Sequence, residues 1–231
     1  MVFKSANLMR EWTNLKNNLG IFSYTIVAVL IAVSLTLFLP NPSLAEGDYL
    51  VRLEQKSTSA EDGSDKIQVE YLMKRTVIME SFLKANRKLE REEAWEYSGY
   101  VMEASKLFGV DPFLIASMII KESTVNKNAR SKYAYGLMQI NWRVHKKGLK
   151  AAFKQIRSLQ DLLLPRNNIL AGTYIFSWYM KSSSYDVKKA LGRYLGRNGS
   201  KYINGVLGLC NKMSNNYQLA MTKQNIERAG S

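Results

Sequence analysis

Cysteine, histidine and proline are scarce in this chain. Its 231 residues include one Cys, one His and four Pro. Cys210 alone excludes a disulfide within the chain, and together with His145 it supplies too few ligands for a Cys/His zinc site. Four prolines and 14 glycines exclude a collagen-like or proline-rich linker protein. A hydrophobic content of 46% excludes a wholly disordered chain.

Acidic residues are scarce in one half of the chain. Lys and Arg number 33 against 19 Asp and Glu, which gives a net charge of +14. Residues 109–215 contain 18 basic and 4 acidic residues, so this stretch alone has an excess of +14. The positive electrostatic field of this excess attracts a polyanion. Nucleic acid, anionic lipid and acidic cell-wall polymer all meet that description, so charge alone does not choose among them.

A long apolar run lies near the N-terminus. No charged residue lies between Lys16 and Glu46, and Ile21–Leu39 is a run of 19 largely apolar residues. As a helix it measures about 28 Å, close to the hydrocarbon core of a membrane at about 30 Å. We therefore predict a transmembrane anchor over 21–39. Residues 1–20, where Lys and Arg outnumber Glu, are expected in the cytoplasm.

Cleavage near Ala45 is the alternative to an anchor. Ser43-Leu44-Ala45 resembles a small-residue cleavage site of a signal peptide. The apolar run is longer than the usual core of a signal peptide, which favours the uncleaved anchor. Both alternatives export the rest of the chain, so nucleic acid is not expected as a partner.

The exported part has the pattern of an all-α protein. Residues 40–65 are polar and predict a linker, and 66–92 have the apolar spacing of an amphipathic helix. A domain over 93–215 and a C-terminal tail over 216–231 follow. Asp111-Pro112 is a typical helix start. Further helices are predicted at Ala151–Ile156, Asn168–Met180, Val187–Leu195 and Tyr202–Met213.

One glutamate occupies an unusual place in this pattern. Glu122 follows Ile115, Met118 and Ile119 at helical spacing, so its carboxyl is expected on the apolar face of a helix. It also lies at the C-terminal end, where the helix dipole disfavours a negative charge. Both effects raise the pKa of a carboxylic acid and suit a general acid. The alternative is a helix-end glutamate that faces solvent or pairs with an arginine.

The residues around and after Glu122 form an ordered set of motifs. They are Glu122-Ser123, Asn126, Ala129, Ser131 and Gly136–Gln139, then Asn168-Ile169, Gly172 and Tyr174, and finally Ala190-Leu191 with Tyr194. In order and approximate spacing this set resembles the catalytic domain of lytic transglycosylases with the soluble-lytic-transglycosylase, goose-lysozyme-like fold. The resemblance extends over about residues 93–209.

The resemblance implies a lysozyme-like helical domain with one catalytic carboxyl. Glu122 would be the single acid/base that cleaves the β-1,4 bond between MurNAc and GlcNAc in peptidoglycan, leaving a 1,6-anhydro product. Ser131 would hydrogen-bond to Glu122, and Tyr194 would reach toward it. Met138 and Gln139 would line the sugar groove. The family's reaction requires no metal and no cofactor.

The apolar run, together with the resemblance, indicates a place in the cell. We expect a single-pass protein of the bacterial inner membrane with its catalytic domain on the periplasmic side. Cleavage near Ala45 would instead give a periplasmic or secreted protein. Peptidoglycan strands are the expected partner, and an envelope complex is a further one.

Two other functions stay open. The domain departs from the family pattern at Tyr133, where glycine is usual, and at Leu195, where asparagine is usual. A lysozyme-type muramidase would hydrolyse the same bond, and a catalytically weak protein would only bind the wall or help to assemble it. Glycosidases usually pair two carboxylates, but after Glu122 the domain contains only Asp161 and Asp186. This scarcity favours a route with one carboxylate.

Overall fold

The computed structural model describes residues 63–196 and 199–229. These residues form eight α-helices and two isolated β-bridges. The helices are α1 (Gly63–Ala85), α2 (Arg91–Phe108), α3 (Pro112–Ser123), α4 (Trp142–Ala152), α5 (Leu159–Leu163), α6 (Pro165–Ser182), α7 (Val187–Leu195) and α8 (Ser200–Ala229). The all-α prediction is confirmed for this part of the chain.

The predicted membrane segment, Ile21–Leu39, lies outside the described residues. So do residues 1–20 and nearly all of the predicted linker. Within 63–196 and 199–229, no helix is both long and apolar enough to cross a membrane. The transmembrane anchor therefore stays a prediction.

Helix α3 lies at the centre of the described helices. Asp111 caps its N-terminus, since the Asp111 carboxylate accepts a hydrogen bond of 2.9 Å from the N–H of Leu114. This confirms the helix start predicted at Asp111-Pro112. Every side chain over 113–119 is buried, and α3 packs against α1, α2 and α8. Burial of each large apolar side chain stabilises the fold by about 1.5–3 kcal/mol, so α3 is held firmly on all sides.

The amphipathic helix predicted over 66–92 is wrong in its C-terminal bound. Helix α1 ends at Ala85, and α2 begins at Arg91. The Asn86 side chain competes with the helix for backbone groups, because its Oδ1 accepts a hydrogen bond of 3.0 Å from the N–H of Lys88. Its Nδ2 donates to the carbonyl of Val125 at 3.3 Å, which links the loop between α1 and α2 to the end of α3.

Two further predictions of secondary structure are corrected. The helix predicted at Ala151–Ile156 is instead α4, which ends at Ala152, and the backbone is extended at Phe153. The only side chain of α4 that is buried is Leu149, so few large apolar residues mark this helix in the sequence. The segment 216–231, predicted as a tail, continues α8 as far as Ala229, with the Tyr217 ring 5.9 Å from that of Phe113.

A loop over 130–140 packs against α6 through a buried amide. The Asn168 Oδ1 accepts a hydrogen bond of 2.8 Å from the N–H of Met138, and its Nδ2 donates to the carbonyl of Tyr135 at 3.1 Å. Gly136 has a φ of +79°, and a Cβ there would lie 2.3 Å from the Asn168 Nδ2. Gly172 on α6 makes room for Met138 in the same way. Glycine is therefore required at both contacts.

Gly172→Ala is expected to destabilise the fold by about 1–3 kcal/mol. A Cβ at Gly172 would lie 2.5 Å from the sulfur and 2.7 Å from the Cβ of Met138, so the loop must shift. Gly208→Ala in α8 is the matched control, because a Cβ there meets nothing within 4 Å. The control should gain about 0.5–1 kcal/mol from helix propensity. Chemical unfolding of both variants measures the difference, and equal effects would disprove the packing argument.

Candidate active site

Glu122 lies in the last turn of α3, just before a sharp change in chain direction. Thr124 and Val125 both have left-handed backbone, with φ values of 52° and 56°. This conformation is costly for a β-branched residue. Val125 is 1% exposed, and its carbonyl accepts the hydrogen bond from Asn86. Packing and this hydrogen bond hold the turn, so the helix ends directly after the glutamate.

The carboxyl of Glu122 is largely buried and has one hydrogen-bond partner in the described residues. The hydroxyl of Tyr202, on α8, donates to its Oε1 at 2.6 Å. Burial raises the pKa of Glu122, and the Tyr202 hydrogen bond opposes part of that rise. None of the ion pairs found within 63–196 and 199–229 involves Glu122. The alternative of a glutamate paired with an arginine is therefore excluded for this structure.

Tyr194, on α7, lies close to Glu122 but does not hydrogen-bond to it. Its hydroxyl donates to the carbonyl of Met138 at 2.8 Å. Burial raises the pKa of Tyr194, and the charge of Glu122 raises it further. Burial and the charge of Glu122 likewise raise the pKa of Tyr202. Both tyrosines are therefore protonated at neutral pH and serve as hydrogen-bond donors.

The remaining predicted site residues lie in the loop over 130–140. The Gln139 Nε2 donates to the carbonyls of Ala129 and Gly136, each at 3.0 Å. Ser131 is exposed, and its hydroxyl accepts a hydrogen bond of 3.1 Å from the N–H of Ala134. The hydrogen bond expected between Ser131 and Glu122 is not present among the described residues, where the Glu122 carboxyl accepts from Tyr202.

Met138 contributes its backbone carbonyl to the candidate active site. Its side chain is fully buried, and its sulfur lies 3.9 Å from the Oγ1 of Thr173 on α6. The structure thus brings Glu122 and Tyr194 together with the carbonyl of Met138. Contacts of Ser131, Met138 and Gln139 with a sugar stay predictions.

Two other carboxylates of the domain serve as helix caps. Asp161 accepts hydrogen bonds of 2.9 Å and 2.8 Å from the N–H groups of Arg157 and Ser158, within the capping box of α5. Asp186 caps α7 by accepting from the N–H of Lys189 at 3.0 Å. These backbone hydrogen bonds lower the pKa of both residues. Each is ionised at neutral pH and engaged in structure, unlike Glu122.

A metal centre is not formed by the described residues. No group of three or more His, Cys, Asp or Glu side chains within them is placed to hold a metal ion. His145 is half-buried on α4, and burial lowers its pKa. The site therefore offers one carboxylic acid with a raised pKa and two tyrosine hydroxyls.

Tyr202 is the site residue that the sequence did not reveal. It lies 80 positions after Glu122 and outside the motifs that carried the resemblance. Buried Ile203 and Val206 place the start of α8 in the core. Sequence periodicity does not show which helix the buried face of α8 contacts. The pairing of Tyr202 with Glu122 is therefore visible only in the structure.

Glu122→Gln is expected to stabilise the fold more at neutral pH than at pH 4. Burial raises the pKa of Glu122 above its ordinary 4.5, so the folded chain holds this proton more tightly than the unfolded chain. The free energy of unfolding therefore falls as pH rises from 4.5 through the folded-state pKa. Glutamine does not titrate and avoids this loss. Urea unfolding of both proteins from pH 4 to 8 measures the difference.

The matched control is Glu92→Gln, which changes an exposed glutamate of α2. The difference in free energy of unfolding between Glu92→Gln and the original chain should not increase with pH as it does for Glu122→Gln. If the advantage of Glu122→Gln were constant or became smaller with rising pH, the raised pKa of Glu122 would be disproved.

Comparison with known protein families finds a match over the part of the chain that contains the candidate active site. Residues 99–203 match the family model described as the transglycosylase SLT domain. The match extends from α2 to the first turn of α8 and includes Glu122, Tyr194 and Tyr202. No solved structure matches the chain.

Proposed function

Because residues 99–203 match the transglycosylase SLT domain, we propose that the protein is a lytic transglycosylase of peptidoglycan. The match supports an enzyme of transglycosylase type that acts on peptidoglycan. The proposal adds that Glu122 alone serves as acid and base in cleaving the MurNAc-GlcNAc β-1,4 bond. The observation that carries it is the largely buried Glu122 carboxyl with its raised pKa and, among the described residues, a single donor, Tyr202.

In the first step Glu122 acts as a general acid. A carboxyl whose pKa is raised by burial keeps its proton closer to neutral pH, where it can give it to the glycosidic oxygen. The bond between that oxygen and the anomeric carbon of MurNAc then breaks. The Tyr202 hydroxyl donates to the carboxylate that remains, so it stabilises the charge that this step creates.

In the second step the same carboxylate acts as a base. It takes the proton from the C6 hydroxyl of MurNAc, whose oxygen bonds to the anomeric carbon and closes the 1,6-anhydro ring. Glu122 regains its proton, and no water is consumed. An attacking group that belongs to the same sugar has a large effective concentration, so activation of a water molecule is not needed.

The capping roles of Asp161 and Asp186 support a route with one carboxylate. A retaining or inverting glycosidase needs a second carboxylate about 5–9.5 Å from the first. The two other carboxylates between Glu122 and residue 215 accept hydrogen bonds from the backbone of α5 and α7 instead. Neither is placed among the partners of Glu122.

We also propose that Ile21–Leu39 anchors the protein in the bacterial inner membrane, with the SLT domain on the periplasmic side. The apolar run, the basic residues before it and a wall substrate on the exported side support this location. Protease added to spheroplasts should then digest the domain. Full protection of the domain would contradict the orientation.

The full chain incubated with purified sacculi is expected to release muropeptides that are lighter by one water than hydrolysis products. Mass spectrometry of the soluble fraction measures this. Glu122→Gln should reduce the rate of release by about 10²–10⁴-fold, the usual contribution of a general acid and base. Reducing-end products would indicate a muramidase, and binding without release would indicate a wall-binding protein.

Asp161→Asn and Asp186→Asn are the matched controls, since each makes the same chemical change as Glu122→Gln. The amide oxygen of asparagine can accept the same backbone hydrogen bonds, so both variants should fold and keep their rate within about threefold. If either lost as much activity as Glu122→Gln, or if Glu122→Gln kept full activity, the assignment of a single carboxylate would be wrong.

A further inference from the structure

The turn that follows Glu122 is held by residues that precede the matched domain. The match to the SLT domain begins at residue 99, whereas Asn86 and Glu93 lie before it in the chain. The Asn86 Nδ2 donates to the carbonyl of Val125 at 3.3 Å, and the Nζ of Lys127 pairs with the Glu93 carboxylate. Both contacts connect the segment directly after Glu122 to the chain before residue 99.

Asn86 is itself fixed through both its backbone and its side chain. Its N–H donates to the carbonyl of Phe82 at 2.9 Å, and Phe82 is fully buried in α1. Its Oδ1 accepts a hydrogen bond of 3.0 Å from the N–H of Lys88. A backbone N–H on one side and the Val125 carbonyl on the other determine which end of the amide faces each of them. The Nδ2 donor is therefore preorganised for Val125.

The turn at Thr124 and Val125 needs support from outside, because its backbone is unfavourable. These two successive β-branched residues have φ values of 52° and 56°, where such side chains are strained. Without the hydrogen bond from Asn86, a change in the backbone at 124–125 would relieve the strain. Glu122 lies in the last turn of α3, so this change would move its carboxyl away from the hydroxyl of Tyr202, which donates to it at 2.6 Å.

The ion pair between Lys127 and Glu93 is the weaker of the two supports. Lys127 and, to a smaller extent, the Tyr97 hydroxyl lower the pKa of Glu93, so Glu93 is ionised at neutral pH. The exposed fraction is 46% for the side chain of Lys127 and 33% for that of Glu93, and water therefore weakens the pair. By contrast, the hydrogen bond from Asn86 ends on a residue, Val125, that is 1% exposed.

We propose that Asn86, with a smaller contribution from Glu93, is a positioning residue for the Glu122 carboxyl in the proposed reaction. The inference rests on the proposed function, because the position of Glu122 affects a rate only if Glu122 is the catalyst. Asn86 acts through the backbone of the turn, which fixes the end of α3. The catalytic unit then begins at the end of α1 rather than at residue 99, where the match starts.

Asn86→Ser tests this role, because serine can still accept from the N–H of Lys88 but is too short to reach Val125. With sacculi as substrate, the full chain is expected to lose about tenfold in kcat and to keep KM within about twofold. The midpoint of Glu122 in a ¹³C NMR titration should fall toward 4.5, because burial is the larger influence on its pKa and a displaced carboxyl meets more water. A purely structural role would lower only the free energy of unfolding.

Arg75→Met is the matched control for a loss of stability. Arg75 joins α1 to α2, since its guanidinium stacks on the ring of Trp95 at 3.6 Å and donates to the Trp95 carbonyl at 2.9 Å. This variant should unfold more easily than the original chain but keep its kcat and its Glu122 midpoint.

Glu93→Gln/Lys127→Gln removes the second support without a change in net charge. It should lower kcat by about two- to threefold, because a partly exposed ion pair contributes little, and it should shift the Glu122 midpoint in the same direction as Asn86→Ser. Both side chains are partly exposed, so this double variant decides the question if Asn86→Ser does not fold.

An unchanged kcat or an unchanged midpoint in Asn86→Ser would overturn the inference, and so would equal changes in Arg75→Met. The midpoint is measured without catalysis. If the original chain releases no muropeptides but the midpoint falls in Asn86→Ser and not in Arg75→Met, the proposed function is wrong and Asn86 still positions the carboxyl. If the original chain cleaves sacculi and Asn86→Ser changes neither quantity, the function stands and the positioning role is wrong.

Discussion

A carboxylic acid can be buried at low cost when it keeps its proton, and the arrangement around Glu122 depends on this. The apolar side chains of α3 hold that helix in the core, so the carboxyl at its end is drawn away from water whatever its charge. The structure supplies one hydroxyl, that of Tyr202, as its partner. One donor is enough to orient the carboxyl group. After proton transfer it stabilises the negative charge on the carboxylate, but it is too weak an influence to force ionisation beforehand.

The loop over 130–140 is the second part that this arrangement requires. Asn168 binds the loop to α6 through buried hydrogen bonds, and Gly136 and Gly172 allow the close approach. As a result the carbonyl of Met138 lies where the hydroxyl of Tyr194 can donate to it. Tyr194 is thereby fixed beside Glu122. The two tyrosines come from different helices, α7 and α8, so the site depends on the packing of both.

The sequence predicts those features that local patterns encode. Asp111-Pro112 starts α3, the spacing before Glu122 puts it on an apolar face, and the segment Val187–Leu195 forms α7 as expected. The sequence does not place α4 correctly, because Leu149 is the one side chain of this helix that is buried and few large apolar residues mark it. Tyr202 was missed because its contact joins residues 80 positions apart. Long-range pairing of this kind is decided by how helices pack, which neither spacing nor propensity determines.

The protonation state of Glu122 is the central claim, and a ¹³C NMR titration of its side-chain carboxyl measures it most directly. The predicted midpoint lies above the ordinary value of 4.5, because burial is the larger influence on its pKa. Tyr202→Phe should raise the midpoint further by removing the donor that lowers it. Tyr194→Phe is the control, since that hydroxyl donates to Met138. A midpoint at or below 4.5 in the unmodified chain would contradict the account.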